Sequence, residues 1–140
     1  MASISAKIDG VDELNKKLKA LLKRTTKEVD EVLQFGAIEV HNVAKKNIAK
    51  GSRTGEIDPK TGRQRSAEGE YPKTDSGELV SSIFWEKRKG EWIVGSRALH
   101  AFWLEYGTSN MQPRPWLLVS LILVRPEINK QLTELAKRLL

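Results

Sequence analysis

The chain has no cysteine in its 140 residues, which excludes disulfides, thiolate zinc sites and thiol catalysis together. It has no apolar run approaching the ~18–20 uncharged residues that a membrane-spanning helix needs. The opening MASISAKIDG lacks the apolar stretch of about 7–15 residues that marks a secretory signal. These absences lead to the expectation of a protein made and used in a cytoplasm, without a membrane. Catalytic signatures are missing as well. The two histidines, His41 and His100, form no HExxH pair and have no carboxylates at metal-ligand spacing. His41 sits beside Val40 on a helical pattern, as a surface or boundary residue. Glu105 follows His100 by five positions, which on a helix points it to another face. Ser76, Ser81 and Ser82 lack a nucleophile elbow, and no GxxxxGK followed by Ser or Thr is present to cradle a phosphate. No catalytic residue, metal or cofactor is expected.

What is present is a basic chain of ordinary composition, 39% apolar and 30% charged with a net charge of +6, at a length suited to one domain over residues 1–140. The positive excess is spread. Residues 1–50 carry ten Lys/Arg against seven Asp/Glu, residues 51–75 five against five, and residues 76–140 nine against six. A dedicated DNA binder concentrates its charge on one stripe or helix face, and here only Lys60, Arg63 and Arg65 form a compact basic patch.

Apolar positions Val11, Leu14, Leu18, Leu21 and Leu22 fall at helical spacing, with Asp12 and Glu13 at the start and Lys23 and Arg24 at the end, as the helix dipole prefers. A second helical face runs from Val29 through Gly36, Ala37 and Val40 to Ile48 and stops at Gly51. Gly36 and Ala37 leave room for another element to approach. The break at Thr25 and Thr26 either joins two helices or bends one, and two N-terminal helices are expected. Residues 51–75 contain four Gly, two Pro and, among strongly apolar or aromatic residues, only Ile57 and Tyr71. That composition offers no core and predicts a mobile loop with fluctuating turns.

The segment SIFWEKRKGEWIVGS reads as a β-hairpin turning at Lys89-Gly90. That turn sets Arg88 opposite Glu91, Lys87 opposite Trp92 and Trp85 opposite Val94. Ile83, Trp85, Trp92 and Val94 then share one face, with Glu86, Arg88 and Glu91 on the other. ALHAFWLEY predicts a short helix ending at Gly107. Two prolines at 113 and 115 break the chain, with Pro115 expected at the first position of the last helix. Leu117, Leu121, Val124, Ile128, Leu132, Leu135 and Leu139 form one helical stripe through Pro126, where a kink or a new helix is expected. The fold class is α+β: N-terminal helices, a small antiparallel sheet built on the hairpin, and a C-terminal helical region over one sheet face.

Two blocks stand apart from generic core sequence. One is Ser76-Gly77-Glu78-Leu79-Val80-Ser81-Ser82-Ile83. The other is His100-Ala101-Phe102-Trp103-Leu104-Glu105-Tyr106-Gly107-Thr108, followed by Met111-Gln112-Pro113-Arg114-Pro115-Trp116-Leu117. In order and spacing, over roughly residues 10–125, the chain resembles the gene-product-ten-like neck protein family of long-tailed double-stranded DNA phages and prophages. It departs from the family pattern at His100, where tyrosine is usual, at Gln112-Pro113, and in the length of the 51–75 segment. The residues also have a local reading. Gly107 after an aromatic suits a left-handed helix cap, Thr108 can bond the freed turn backbone, and Glu105 and Arg114 flank the turn as a candidate ion pair. Trp103 and Trp116 serve as core or interface anchors alike.

The resemblance implies a structural virion protein at the neck or tail junction, present in the host cytoplasm during assembly. It would form a homo-oligomeric ring around the DNA channel, with other connector and tail proteins as partners and the genomic DNA close by without specific contact. Glu105, Tyr106, Gly107, Thr108, Arg114, Pro115 and Trp116 are then candidates for a subunit or partner interface, and Lys60, Arg63 and Arg65 for a loop facing DNA or a partner. Two alternatives stand beside it: a tail terminator or tail-completion protein, and, from another class, a small basic nucleic-acid-binding protein contacting phosphates through the same three cations.

Overall fold

The computed structural model describes residues 10–51, 53, 55–72 and 77–139. The long apolar periodicity of the first fifty residues becomes one helix, α1 (Val11–Lys50), of 40 residues and about 60 Å, in place of the two expected. The threonine pair does not interrupt it. The Thr25 and Thr26 hydroxyls donate to the Leu21 and Leu22 carbonyls at 2.8 Å each, so their polar groups are satisfied inside the helix. Ion pairs Arg24–Glu28 and Lys27–Glu31 bridge the same turn. Gly51 ends the helix in an extended conformation, its N–H reaching the Ile48 carbonyl.

A one-turn helix α2 (Glu78–Ser82) leads into strands β1 (Ile83–Arg88) and β2 (Glu91–Ser96). The register is the one the alternation predicts, with Trp85 opposite Val94, Lys87 opposite Trp92 and Arg88 opposite Glu91. Lys89 and Gly90 both take positive φ, 49° and 81°, which is the two-residue turn that matches strand twist. Helix α3 (Leu99–Tyr106) and helix α4 (Leu117–Leu139) complete the α+β fold. α4 runs unbroken through Pro126, so no new helix begins there. Pro115 lies two residues ahead of α4, not at its first position.

The packing differs from the expected arrangement in one respect. α1, not the C-terminal region, lies against the hairpin, and α4 packs chiefly along α1. The cause is visible at Gly36. A Cβ there would stand 2.6 Å from Ile128 Cδ1, so the missing side chain lets α4 settle directly on α1. Arg138 pairs with Glu28 at 2.9 Å further along, which makes the two helices antiparallel. The main core forms where the C-terminal half of α1 meets the other elements: Ala44 and Ile48 pack with Leu79, Ile83, Ala101 and Trp116, each large side chain there contributing roughly 1.5–3 kcal/mol by burial.

Residues 51–75 carry local structure where they are described. The Gly55 N–H donates to the Arg65 carbonyl, Arg65 N–H to Glu56 and Asp58 N–H to Arg63, so residues 55–66 fold back on themselves as a small arm. The expectation that this segment offers nothing to the core is corrected at three residues: Ser66 and Pro72 are buried, and Tyr71 packs on the core with its hydroxyl 3.1 Å from Ser120 Oγ. Backbone hydrogen bonds, not apolar content, hold the arm. Lys73 and Ser76 lie outside the described residues.

Candidate functional site

The corner from α3 to α4 is built around two residues. Gly107 closes α3, its N–H donating to the Trp103 carbonyl at 2.7 Å, with φ 74° and ψ 178°. This is positive φ but not the left-handed helical conformation expected of a cap. It is an extended mirror-image geometry reserved almost wholly for glycine. A Cβ would also lie 2.8 Å from the Met111 carbonyl oxygen. Thr108 and Met111 exchange backbone hydrogen bonds, and Thr108 Oγ1 accepts from the Asn110 N–H.

Glu105 does not pair with Arg114. Its carboxylate accepts the backbone N–H groups of Trp116 and Leu117 on Oε2, at 2.8 and 2.9 Å, and that of Leu118 on Oε1, at 2.9 Å. One side chain of α3 thus satisfies the free donors at the start of α4 and places a negative charge at the positive end of its dipole. Arg114 turns the other way, donating from Nε to the Ser66 carbonyl at 2.7 Å, while its own N–H bonds Leu104. It ties the 55–66 arm to the corner. Trp116 is 3% exposed and donates its indole N–H to Ala101. The two tryptophans therefore part: Trp116 is core, whereas Trp103 is exposed. Tyr106, its ring tilted against that of Phe102 with centroids 4.8 Å apart, is 70% exposed.

The basic candidates separate as well. Arg63 and Arg65 line a recess that Arg53, Arg114 and His100 also border, whereas Lys60 stands outside it. Arg65 is paired with Asp58 at 2.5 Å, and that guanidinium, with the Lys60 N–H, holds the Asp58 carboxyl below the usual carboxylate range. His41 is half-buried, with Nδ1 3.1 Å from Asn42 Oδ1. Ser81 and Ser82 bond helix carbonyls of Glu78 and Leu79, which is a structural use.

Two apolar surfaces have no partner among the described residues. The first is the start of α1: every residue from 11 to 24 is exposed, so Val11, Leu14, Leu18, Leu21 and Leu22 form an open stripe. The second is a groove of about 760 Å³ between α1, β2, α3 and α4, floored by Leu33, Ala37 and Val40 and rimmed by Phe102, Tyr106 and Leu121. Among the described residues no group of acidic, histidine or cysteine side chains is placed to hold a metal, and no helix is long and apolar enough to cross a membrane.

Residues 12–107 match a family model described as "Bacteriophage HK97-gp10, putative tail-component". The chain belongs to this family. As a phage tail component it is a structural virion protein and not an enzyme, and other virion proteins are its partners. No match was found among the curated proteins or among the solved structures. The matched span of this tail component includes Glu105, Tyr106 and Gly107 and stops before Thr108 and the Arg114-Pro115-Trp116 block. One residue that matters escaped the sequence reading. Asp30 on α1 accepts from Lys87 Nζ at 2.6 Å and from the Trp92 indole at 3.0 Å, fastening hairpin to helix. Its signal was there: a carboxylate three residues before Leu33 and seven before Ala37 lies on the inward stripe.

Proposed function

We propose that the chain is the neck subunit of its phage, joining head to tail as a homo-oligomeric ring through whose lumen the DNA passes. The observation that carries this reading is the coexistence, on one member of a tail-component family, of two unlike apolar surfaces, the α1 stripe and the groove. Unlike surfaces favour head-to-tail contacts, and such contacts close into rings when the rotation permits. The exposed Tyr106 and Thr108 are the members of the family block available to a neighbouring subunit or partner, with Glu105, Gly107, Arg114, Pro115 and Trp116 holding them in place from beneath. Lys60, Arg63 and Arg65 belong to an arm facing the DNA or a partner. Their charge makes non-specific proximity to the phosphate backbone favourable without encoding sequence.

The test is a phage whose copy of this gene is interrupted by a stop codon. Lysates should contain DNA-filled heads beside separate tails of normal length, and adding the purified protein should join them. Tails of uncontrolled length would identify a tail terminator instead, and lysates with normal joined particles would end the structural assignment at the neck.

A further inference from the structure

The stripe at the start of α1 and the groove are carried by the same rigid helix. Leu22, the last residue of the stripe, is followed by about 16 Å of unbroken helix before Leu33 at the groove. The stripe therefore cannot fold back into its own groove without breaking α1. The antiparallel α4 cannot cover the stripe either, because its last described turn pairs Arg138 with Glu28, which leaves residues 11–24 projecting beyond it. Charge favours a match between the two surfaces. Residues 11–24 hold Lys16, Lys17, Lys19, Lys23 and Arg24 against Asp12 and Glu13, whereas among the described residues the charged groups bordering the groove are both acidic: Glu91, and Glu105 with its carboxylate already bonded at the start of α4. Shape agrees too, since an amphipathic helix presents anchors at three- and four-residue spacing to an apolar cleft, and Leu14, Leu18, Leu21 and Leu22 are so spaced.

We propose that the occupant of the groove is the α1 stripe of a second copy of this chain, Val11 to Leu22 of one subunit lying across Leu33, Phe102, Tyr106 and Leu121 of the next. This inference rests on the ring reading and specifies its contact. Each subunit donates a stripe and accepts one, so the contact is heterologous and propagates in one direction.

Leu18→Asp removes the donor and Leu121→Asp the acceptor. Both residues are exposed in the single chain, so each variant retains its circular dichroism spectrum. In sedimentation at about 100 µM, where a Kd near 10 µM still assembles most of the chain, the wild type should run as an oligomer and each variant alone as a monomer, self-association weakening at least about tenfold. An equal mixture should form a one-to-one dimer that grows no further, because one variant keeps its groove and the other its stripe. A monomeric wild type, a variant that assembles like wild type, or a mixture without the one-to-one dimer overturns the proposal; Leu121→Asp assembling like wild type is what stripe-to-stripe pairing would give, because its stripe is intact. If Leu18→Asp protein, monomeric in solution, still joins heads to tails, this interface is wrong while the neck assignment stands.

Discussion

At the scale of single residues, Gly107 and Glu105 define the corner that the family block encodes. Gly107→Val places a branched side chain at φ 74° with its Cβ 2.8 Å from a carbonyl oxygen. Both the backbone geometry and the contact oppose it, so thermal or denaturant unfolding should show a loss of about 1–3 kcal/mol. An unchanged midpoint would mean that the corner adopts another conformation. Glu105 illustrates where local reading ends. Its place beside a turn suggested a partner of opposite charge, and Arg114 was the nearest candidate. Three backbone N–H groups at a helix start compete for the same carboxylate, and they win because they have no other acceptor within the helix. Which donors face a side chain depends on how α3 and α4 are set against each other, and spacing along the chain does not contain that angle.

Among the elements, the hairpin was legible down to its register because alternation, turn chemistry and cross-strand charge all point to one pairing. The continuity of α1 was not, because two threonines read equally as a break or as residues bonding back to the preceding turn. How hairpin and helix join was legible only in part. The Lys87 ammonium and then the Trp92 indole hold the Asp30 carboxyl below its usual range. A carboxylate whose folded value is depressed contributes stability that is present above its unfolded value and lost as pH falls through the folded one. Acid titration followed by tryptophan fluorescence should therefore show the hairpin loosening from α1 at pH values beneath the ordinary carboxylate range. Asp30→Asn should lack that step, and a variant titrating like wild type would remove Asp30 from the linkage.

Across the whole molecule, the 51–75 segment connects the N-terminal helix to everything that follows. Its described part is held by an arm of backbone hydrogen bonds and by Arg114, with little apolar surface. Segments so held open at low free energy. Brief trypsin treatment of the free subunit should cut first at Arg53, Lys60, Arg63, Arg65 or Lys73, and the same sites should resist once the subunit is assembled; first cuts within α1 or α4 would contradict this. The separation in sequence between bonded partners has a further consequence, for the order in which the chain acquires its shape. Glu105 meets its donors across eleven to thirteen residues, whereas Asp30 meets Lys87 and Trp92 across 57 and 62. Closing the shorter loops costs less entropy, so the α3–α4 corner can form within its own stretch of chain. On the ribosome α1 emerges ahead of the hairpin and α4 and stays uncovered on both its faces until they have followed it out, which makes the interval of synthesis the period when this helix is most open to unintended company.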